Sequence, residues 1–171
     1  MLIYLADAAH YREVIERIPR VEHTLWLGTA DIKDLYTAAP GGGAVPLLAD
    51  LAGCVARGVA IRLIHAKEPG PNFQADFDRY PNLVDGLERA LCPRVHFKLV
   101  IFDLTIAYIG SANLTGAGIG MKASTRRNFE AGILTDNPDL VGTAIEQYDA
   151  VWRGEHCLDC GRRAYCPDPI A

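Results

Sequence analysis

The sequence predicts an α/β protein: a mixed β-sheet flanked by helices, with a small C-terminal cysteine knuckle built to hold a metal. Three observations predict it. Short apolar runs alternate with longer stretches at helical spacing, in the order β-α-β-α-α-β-α-β-β-β-α. Helices interleaved with strands pack on the faces of a sheet. Three of the five cysteines fall within ten residues, at 157, 160 and 166.

The elements follow in order. Leu2–Leu5 is a short apolar strand. Ala8–Ile18 sets Tyr11, Val14, Ile15 and Ile18 at helical spacing, and Pro19 ends it. His23–Leu27 reads as a strand. Asp31 is placed to cap a short helix over Ile32–Thr37. Ala39–Gly43 contains Pro40 and three glycines and is a loop, too short to separate domains. Val45–Arg57 regains helical period through Leu48, Leu51 and Val55, and Gly58 follows as a stop. Val59–Ile64 is a strand. Lys67–Pro71 is turn-rich, and the stretch to Leu91 is helical with a break at Pro81. Arg94–Asp103, Thr105–Ile109 and Phe129–Leu134 are strands. Asp136-Asn137-Pro138-Asp139 starts a helix that runs to Trp152, where Gly154 stops it. No internal repeat is visible.

The 171 residues match one domain. Residues 1–154 form the body, and 155–171 a cysteine-rich tail packed on it. Half the residues are hydrophobic and 22% charged, which excludes a disordered chain. Mean hydropathy is +0.07, but no apolar run reaches the roughly 18 residues of a membrane span. The start, Met1-Leu2-Ile3-Tyr4-Leu5-Ala6-Asp7, lacks the basic region of a secretory signal, so a cytoplasmic location is expected. The net charge of −4 and pI near 5.7 exclude a globally basic nucleic-acid binder, though not a local basic groove.

The chemistry concentrates in Val95–Asp103 and Gly110–Asn113. On a strand, His96 and Lys98 share one face, while Phe97, Leu99 and Ile101 take the other. A His and a Lys side by side make a poor core but suit an anion. Taken alone, the pair reads more readily as a solvated strand edge. Gly110 permits close backbone approach, and Ser111 and Asn113 add neutral donors able to hold phosphate oxygens.

His-x-Lys, four residues, Asp, six residues, Gly-Ser-x-Asn resembles the HKD motif of the phospholipase D superfamily. His96, Lys98, Asp103, Gly110, Ser111 and Asn113 all fit, and Asn128-Phe129-Glu130 resembles the Asn-x-Glu segment beyond it. Members often carry a turn residue such as glycine after the motif Asp. Here Asp103-Leu104-Thr105 stands instead, which bears on the turn rather than the chemistry.

The resemblance implies a phosphodiesterase. His96 would attack phosphorus as nucleophile. Lys98 and Asn113 would stabilise the phosphoryl oxygens. Glu130 would fix the His96 tautomer, Ser111 would donate to phosphate or support the site, and Asp103 would mainly support the turn. The chemistry would require no divalent metal. One motif per chain implies a homodimer that pairs two copies of His96.

The Gly116–Asn128 stretch is glycine-rich and reads as mobile. Its Lys122, Arg126 and Arg127 are candidate contacts to a nucleic-acid backbone, weighed evenly against a solvated charge run. His10 and His23 read as surface or satisfied core positions, and His65, at a strand end, as a lesser binding candidate.

Cys157 and Cys160 form a C-x2-C knuckle, and Cys166 follows. A tetrahedral metal needs a fourth ligand. Cys92 is the first choice and His156 the second, since adjacent ligands strain a chelate. Zinc in a structural role is the expected metal, with an iron–sulfur cluster as the alternative. Cys54 reads as a buried small hydrophobe.

The leading functional reading is a metal-independent nuclease. A phospholipase D-type lipid hydrolase is second, but exposed apolar loops for a membrane are not evident. A non-catalytic nucleic-acid-binding subunit of a repair or defence system is third, and the intact motif argues against it.

Overall fold

The computed structural model describes residues 1–33, 35–39, 41–119 and 121–170. Asp34, Pro40, Gly120 and Ala171 lie outside the described residues. They fall, respectively, in the expected Ile32–Thr37 helix, the Ala39–Gly43 loop, the Gly116–Asn128 loop and the tail. In chain order the strands and helices are β1 (Leu2–Ala6), β2 (Thr24–Thr29), β3 (Ile32–Lys33), β4 (Tyr36–Ala38), β5 (Ala44–Pro46), α1 (Leu47–Ala56), β6 (Ala60–His65), α2 (Pro71–Phe77), α3 (Asn82–Gly86), β7 (Leu87–Leu91), β8 (Lys98–Phe102), β9 (Ile106–Gly110), β10 (Leu114–Thr115), β11 (Ala131–Thr135) and α4 (Pro138–Trp152).

Seven strands form one mixed sheet in the order β1-β11-β9-β8-β2-β6-β7. β2, β6 and β7 run parallel, and the other pairings are antiparallel. Strand alternation sends Val100 and Phe102 of β8 to a core shared with Val14, Ile15, Ile18, Leu48, Leu51 and Leu83. Leu99 and Ile101 go to the opposite core, against Val141, Ala144 and Tyr148 of α4. Helices thus cover both faces, as the alternating pattern predicts. α4 starts where expected, because the Asn137 side chain accepts from the Asp139 and Leu140 N–H groups at 3.1 Å.

Four local expectations change. Among the described residues of Ile32–Thr37, no helix forms. Ile32–Lys33 pairs with β10, and Tyr36–Ala38 pairs with β5 around Gly41–Gly43, whose φ values of 98°, 99° and 90° suit glycine. Six residues are too few for a helix to outcompete those ladders. Leu87–Leu91, rich in helix formers, is instead an edge strand parallel to β6, since buried Leu87 and Leu91 face the core from there. The Tyr11–Ile15 turn is wound as a π-helix, with Glu16 N–H donating to Tyr11 O at 3.1 Å. The strand expected over Arg94–Asp103 begins at Lys98, because a turn at Cys92–Val95 delays it (Val95 N–H to Cys92 O, 2.9 Å).

Candidate active site

His96 sits in the extended link between that turn and β8, and it is exposed. Lys98 opens β8 and is only 7% exposed. Its ammonium donates to the His96 carbonyl at 2.7 Å and stands 3.4 Å from both ring nitrogens of His96. Burial pushes the Lys98 ammonium down from its ordinary value, and the Glu130 carboxylate opposes that shift. His96 and Lys98 thus lie together on one side of the chain, while Phe97 packs with Leu99 and Ile101 on the other, although β8 itself begins only at Lys98.

Asn113 faces the same cleft, which Ala30, Asp31, Lys67, Arg94, His96 and Arg162 also line. The Asn113 Oδ1 accepts from the Thr29 hydroxyl and from the Ala30 and Asp31 N–H groups, each at 3.2 Å. Three donors around the oxygen orient the amide, so its N–H₂ end remains to donate to a ligand. Asp31 is ion-paired with Lys33 and Lys67, at 3.2 and 3.3 Å.

Glu130 is held differently from expectation. Its carboxylate accepts from the Ser111 hydroxyl and from the Asn128 side chain at 3.0 Å, and it makes no hydrogen bond to His96 within the chain. Ser111 in turn accepts from the Ala131 N–H at 3.0 Å. Ser111, Asn128 and Glu130 thus form one network joining the end of β9 to β11.

Asp103 lies at the other end of β8, about 16 Å along the strand from Lys98 at ~3.3 Å per residue. It clamps the start of β2, accepting from the N–H groups of Glu22, His23 and Thr24 at 3.1, 2.7 and 2.9 Å. Burial raises its carboxyl pKa, but those donors outweigh it and hold the carboxyl below the usual range. Asp103 and Leu104 both have left-handed backbone, φ 48° and 55°, in the β8–β9 turn where a glycine-like residue is absent.

The Gly116–Asn128 stretch is tied down by backbone hydrogen bonds, among them Ile119 to Thr115, Lys122 to Gly116 and Asn128 to Ala117. Ile119 is fully buried, which is why the glycines do not make this a free loop. Lys122 and Arg126 are exposed and Arg127 half-buried. His10 is buried edge-on to Tyr108, and its Nδ1 meets Asp7 O at 2.9 Å. His65 is also buried, its Nδ1 2.7 Å from Lys67 O, and it does not line the cleft.

Cys92, Cys157, Cys160 and Cys166 line a single narrow cleft. His156 lines a neighbouring one with Cys92, Cys157 and Cys160. The Cys160 thiol is held below its ordinary value, first by the Arg162 backbone N–H and then by the Arg94 side chain. Among the described residues, no three His, Cys, Asp or Glu side chains are gathered into a metal-holding group.

The family model "Cardiolipin synthase, PLD-like domain" matches residues 15–152. The chain belongs to the PLD-like family. Solved structures with the same fold include a phospholipase D family member, Nuc from Salmonella typhimurium. It is 16% identical, with 89% of this chain and 95% of that chain covered and a TM-score of 0.64. NucT from Helicobacter pylori is 16% identical over 87% of this chain and 94% of its own, at a TM-score of 0.58. TrmBL2, an archaeal chromatin protein described with a novel mode of DNA binding, is 17% identical over 88% of this chain and 51% of its own, at 0.59. No curated relative matches. These identities carry the fold alone. Of the motif residues, His96 and Asn113 line one cleft and Lys98 stands against the His96 ring; the motif misses Arg94, Lys67 and Arg162, which line that cleft too. The one signal in the sequence that relates Arg162 to His96 is the expected pairing of Cys160 with Cys92 in a metal site.

Proposed function

We propose that this PLD-like chain is a phosphodiesterase acting on nucleic acid as a homodimer. The supporting observation is one cleft lined by an exposed His96 and by Asn113, whose amide oxygen is held and whose donor end is free, with the buried Lys98 ammonium 3.4 Å from the His96 ring nitrogens. His96 attacks phosphorus, a P–N bond forms, and the P–O bond to the leaving group breaks. The partner's His96 supplies the proton to the leaving oxygen. Water then attacks the phosphohistidine and gives its proton back to the partner's His96, and the P–N bond breaks. Lys98 and Asn113 hold the phosphoryl oxygens as negative charge builds. Glu130, fixed by Ser111 and Asn128, sets the field around Lys98.

The nucleic-acid reading rests on the character of the rim. Lys67, Arg94 and Arg162 line the cleft, and the segment carrying Lys122, Arg126 and Arg127 runs between Asn113 and Glu130. Such cations favour a phosphate backbone. The family model's description names cardiolipin synthase, so phosphatidyl transfer is the second reading to test.

The test is an assay of purified protein, with excess EDTA, on single- and double-stranded DNA and RNA and on phosphatidylglycerol vesicles. Nucleic-acid cleavage that survives brief EDTA and falls about a thousandfold or more in His96→Asn is expected. Cleavage of lipid alone, or a fully active His96→Asn protein, overturns the reading.

A further inference from the structure

The segment after α4 is held by something other than an apolar core. None of residues 155–170 is buried. Leu158 and Tyr165 are 79% and 83% exposed, and Ile170 is 41% exposed. The half-buried residues there are Cys157, Cys160, Arg163 and Cys166 alone. A tail that turns its leucine and tyrosine outward and its cysteines inward is arranged around the thiols.

Those thiols meet a fourth. Cys92, from the turn before His96, lines the same cleft. All four are free and half-buried. Successive turns shape the segment: Cys157 N–H to Gly154 O, Cys160 N–H to Cys157 O, and Arg163 N–H to Cys160 O, at 2.8, 3.3 and 3.0 Å. Arg94, Arg162 and Arg163 border the cleft and would offset the net −2 charge of four thiolates around a divalent ion. Contacts that hold the tail against the body include Leu91 N–H to Asp168 at 2.8 Å, Arg162 to the Pro93 carbonyl at 2.7 Å, and the Cys166 thiol to the Leu91 carbonyl at 3.8 Å.

We propose that Cys92, Cys157, Cys160 and Cys166 bind one structural zinc ion, which fixes Arg94 and Arg162 in the His96 cleft. The four soft donors suit zinc in a closed tetrahedral site. Binding of the ion would draw the four thiolates, which share one cleft, into a single shell. Arg94 and Arg162 line both the thiol cleft and the His96 cleft. The ion therefore builds one wall of the substrate site without touching the reacting phosphorus. The zinc assignment stands apart from the phosphodiesterase reading; the role of the two arginines rests on it.

Elemental analysis and thiol titration of the purified full chain test the ion directly. About one zinc per chain is expected. Four thiols should react together with its release by a mercurial. Cobalt exchanged for zinc should give the intense visible absorption of a tetrahedral tetrathiolate. Cys166→Ser should lose the metal and His156→Ala keep it. Should Cys166→Ser not fold, the cobalt spectrum of the wild-type chain still decides the donor set. Arg162→Gln should retain full zinc yet bind a short oligonucleotide about tenfold more weakly, the loss of one charge-assisted hydrogen bond. Iron with acid-labile sulfide, disulfides, or four freely reactive thiols without metal would overturn the site. Unchanged oligonucleotide binding in Arg162→Gln would overturn its role in the cleft. These metal readouts stand whether or not the chain cleaves nucleic acid.

Discussion

At the residue scale, Lys98 shows function set against stability. An ammonium 7% exposed is disfavoured by burial, and its nearest acceptor is the His96 carbonyl. Lys98→Met should stabilise the fold by about 1 kcal/mol at pH 7 while cutting activity about a hundredfold. The sign of the pH dependence follows from the lowered folded-state pKa. The burial penalty is complete below that value, shrinks as pH rises through it, and is gone above about 10.4, where the unfolded side chain titrates. Urea midpoints of both proteins should differ at pH 7 and converge above pH ~10.4. A constant gap would show that the charge is not the cause. Leu104 is a different case. Its φ of 55° costs a branched side chain roughly 1 kcal/mol, and its side chain is 41% exposed, so little packing is at stake. Leu104→Gly should raise the melting temperature by about 2–4 °C, and a lower value would refute the strain argument.

At the scale of elements, the α3–β7 junction decides a misreading. Leu87-Glu88-Arg89-Ala90-Leu91 is composed of helix formers, and by propensity alone it continues α3. Tertiary pairing with β6 overrides this, and Gly86 marks the switch. A Cβ on Gly86 would stand 2.2 Å from Val55 Cγ1 on α1. Gly86→Ala should therefore cost about 1–3 kcal/mol, as overpacked cores do. Val55→Ala should relieve much of that cost in the double variant. A double-mutant cycle by chemical denaturation reads the coupling, and strictly additive losses would place the strain elsewhere. The short helix expected after Asp31 failed for a related reason: β3 and the β4–β5 hairpin offered ladder partners far away in sequence, or across a glycine turn, that local spacing does not reveal.

At the scale of the whole molecule, the proposed chemistry needs a nucleophile and an acid on opposite sides of phosphorus. The chain places one exposed His in the cleft, and His65 and His10 are buried away from it. The homodimer proposal follows from that arithmetic. Sedimentation should show a dimer across the concentrations at which the enzyme turns over. Activity persisting in a demonstrated monomer would count against the paired-histidine mechanism. A further expectation is that mixing wild type with excess His96→Asn poisons activity as mixed dimers form.

What the sequence determined by itself was local or strictly spaced. Alternation around Leu99 and Ile101 set the two faces of β8. Asn137 and Pro138 set the start of α4. The spacing from His96 to Asn113 marked the motif residues, since fixed spacing along a hairpin becomes fixed spacing in space. The tertiary structure alone decided matters that depend on partners distant in the chain. The Cys92–Val95 turn removed His96 from the strand. Ser111 and Asn128, not His96, took the Glu130 carboxylate. Asp103 became a clamp on β2, because the N–H groups it binds lie some 80 positions earlier. The convergence of residues 92 and 157–166 on one cleft likewise belongs to the fold: no periodicity links a turn before β8 to a tail after α4, and only the packing of both at one end of the sheet brings Arg162 beside His96.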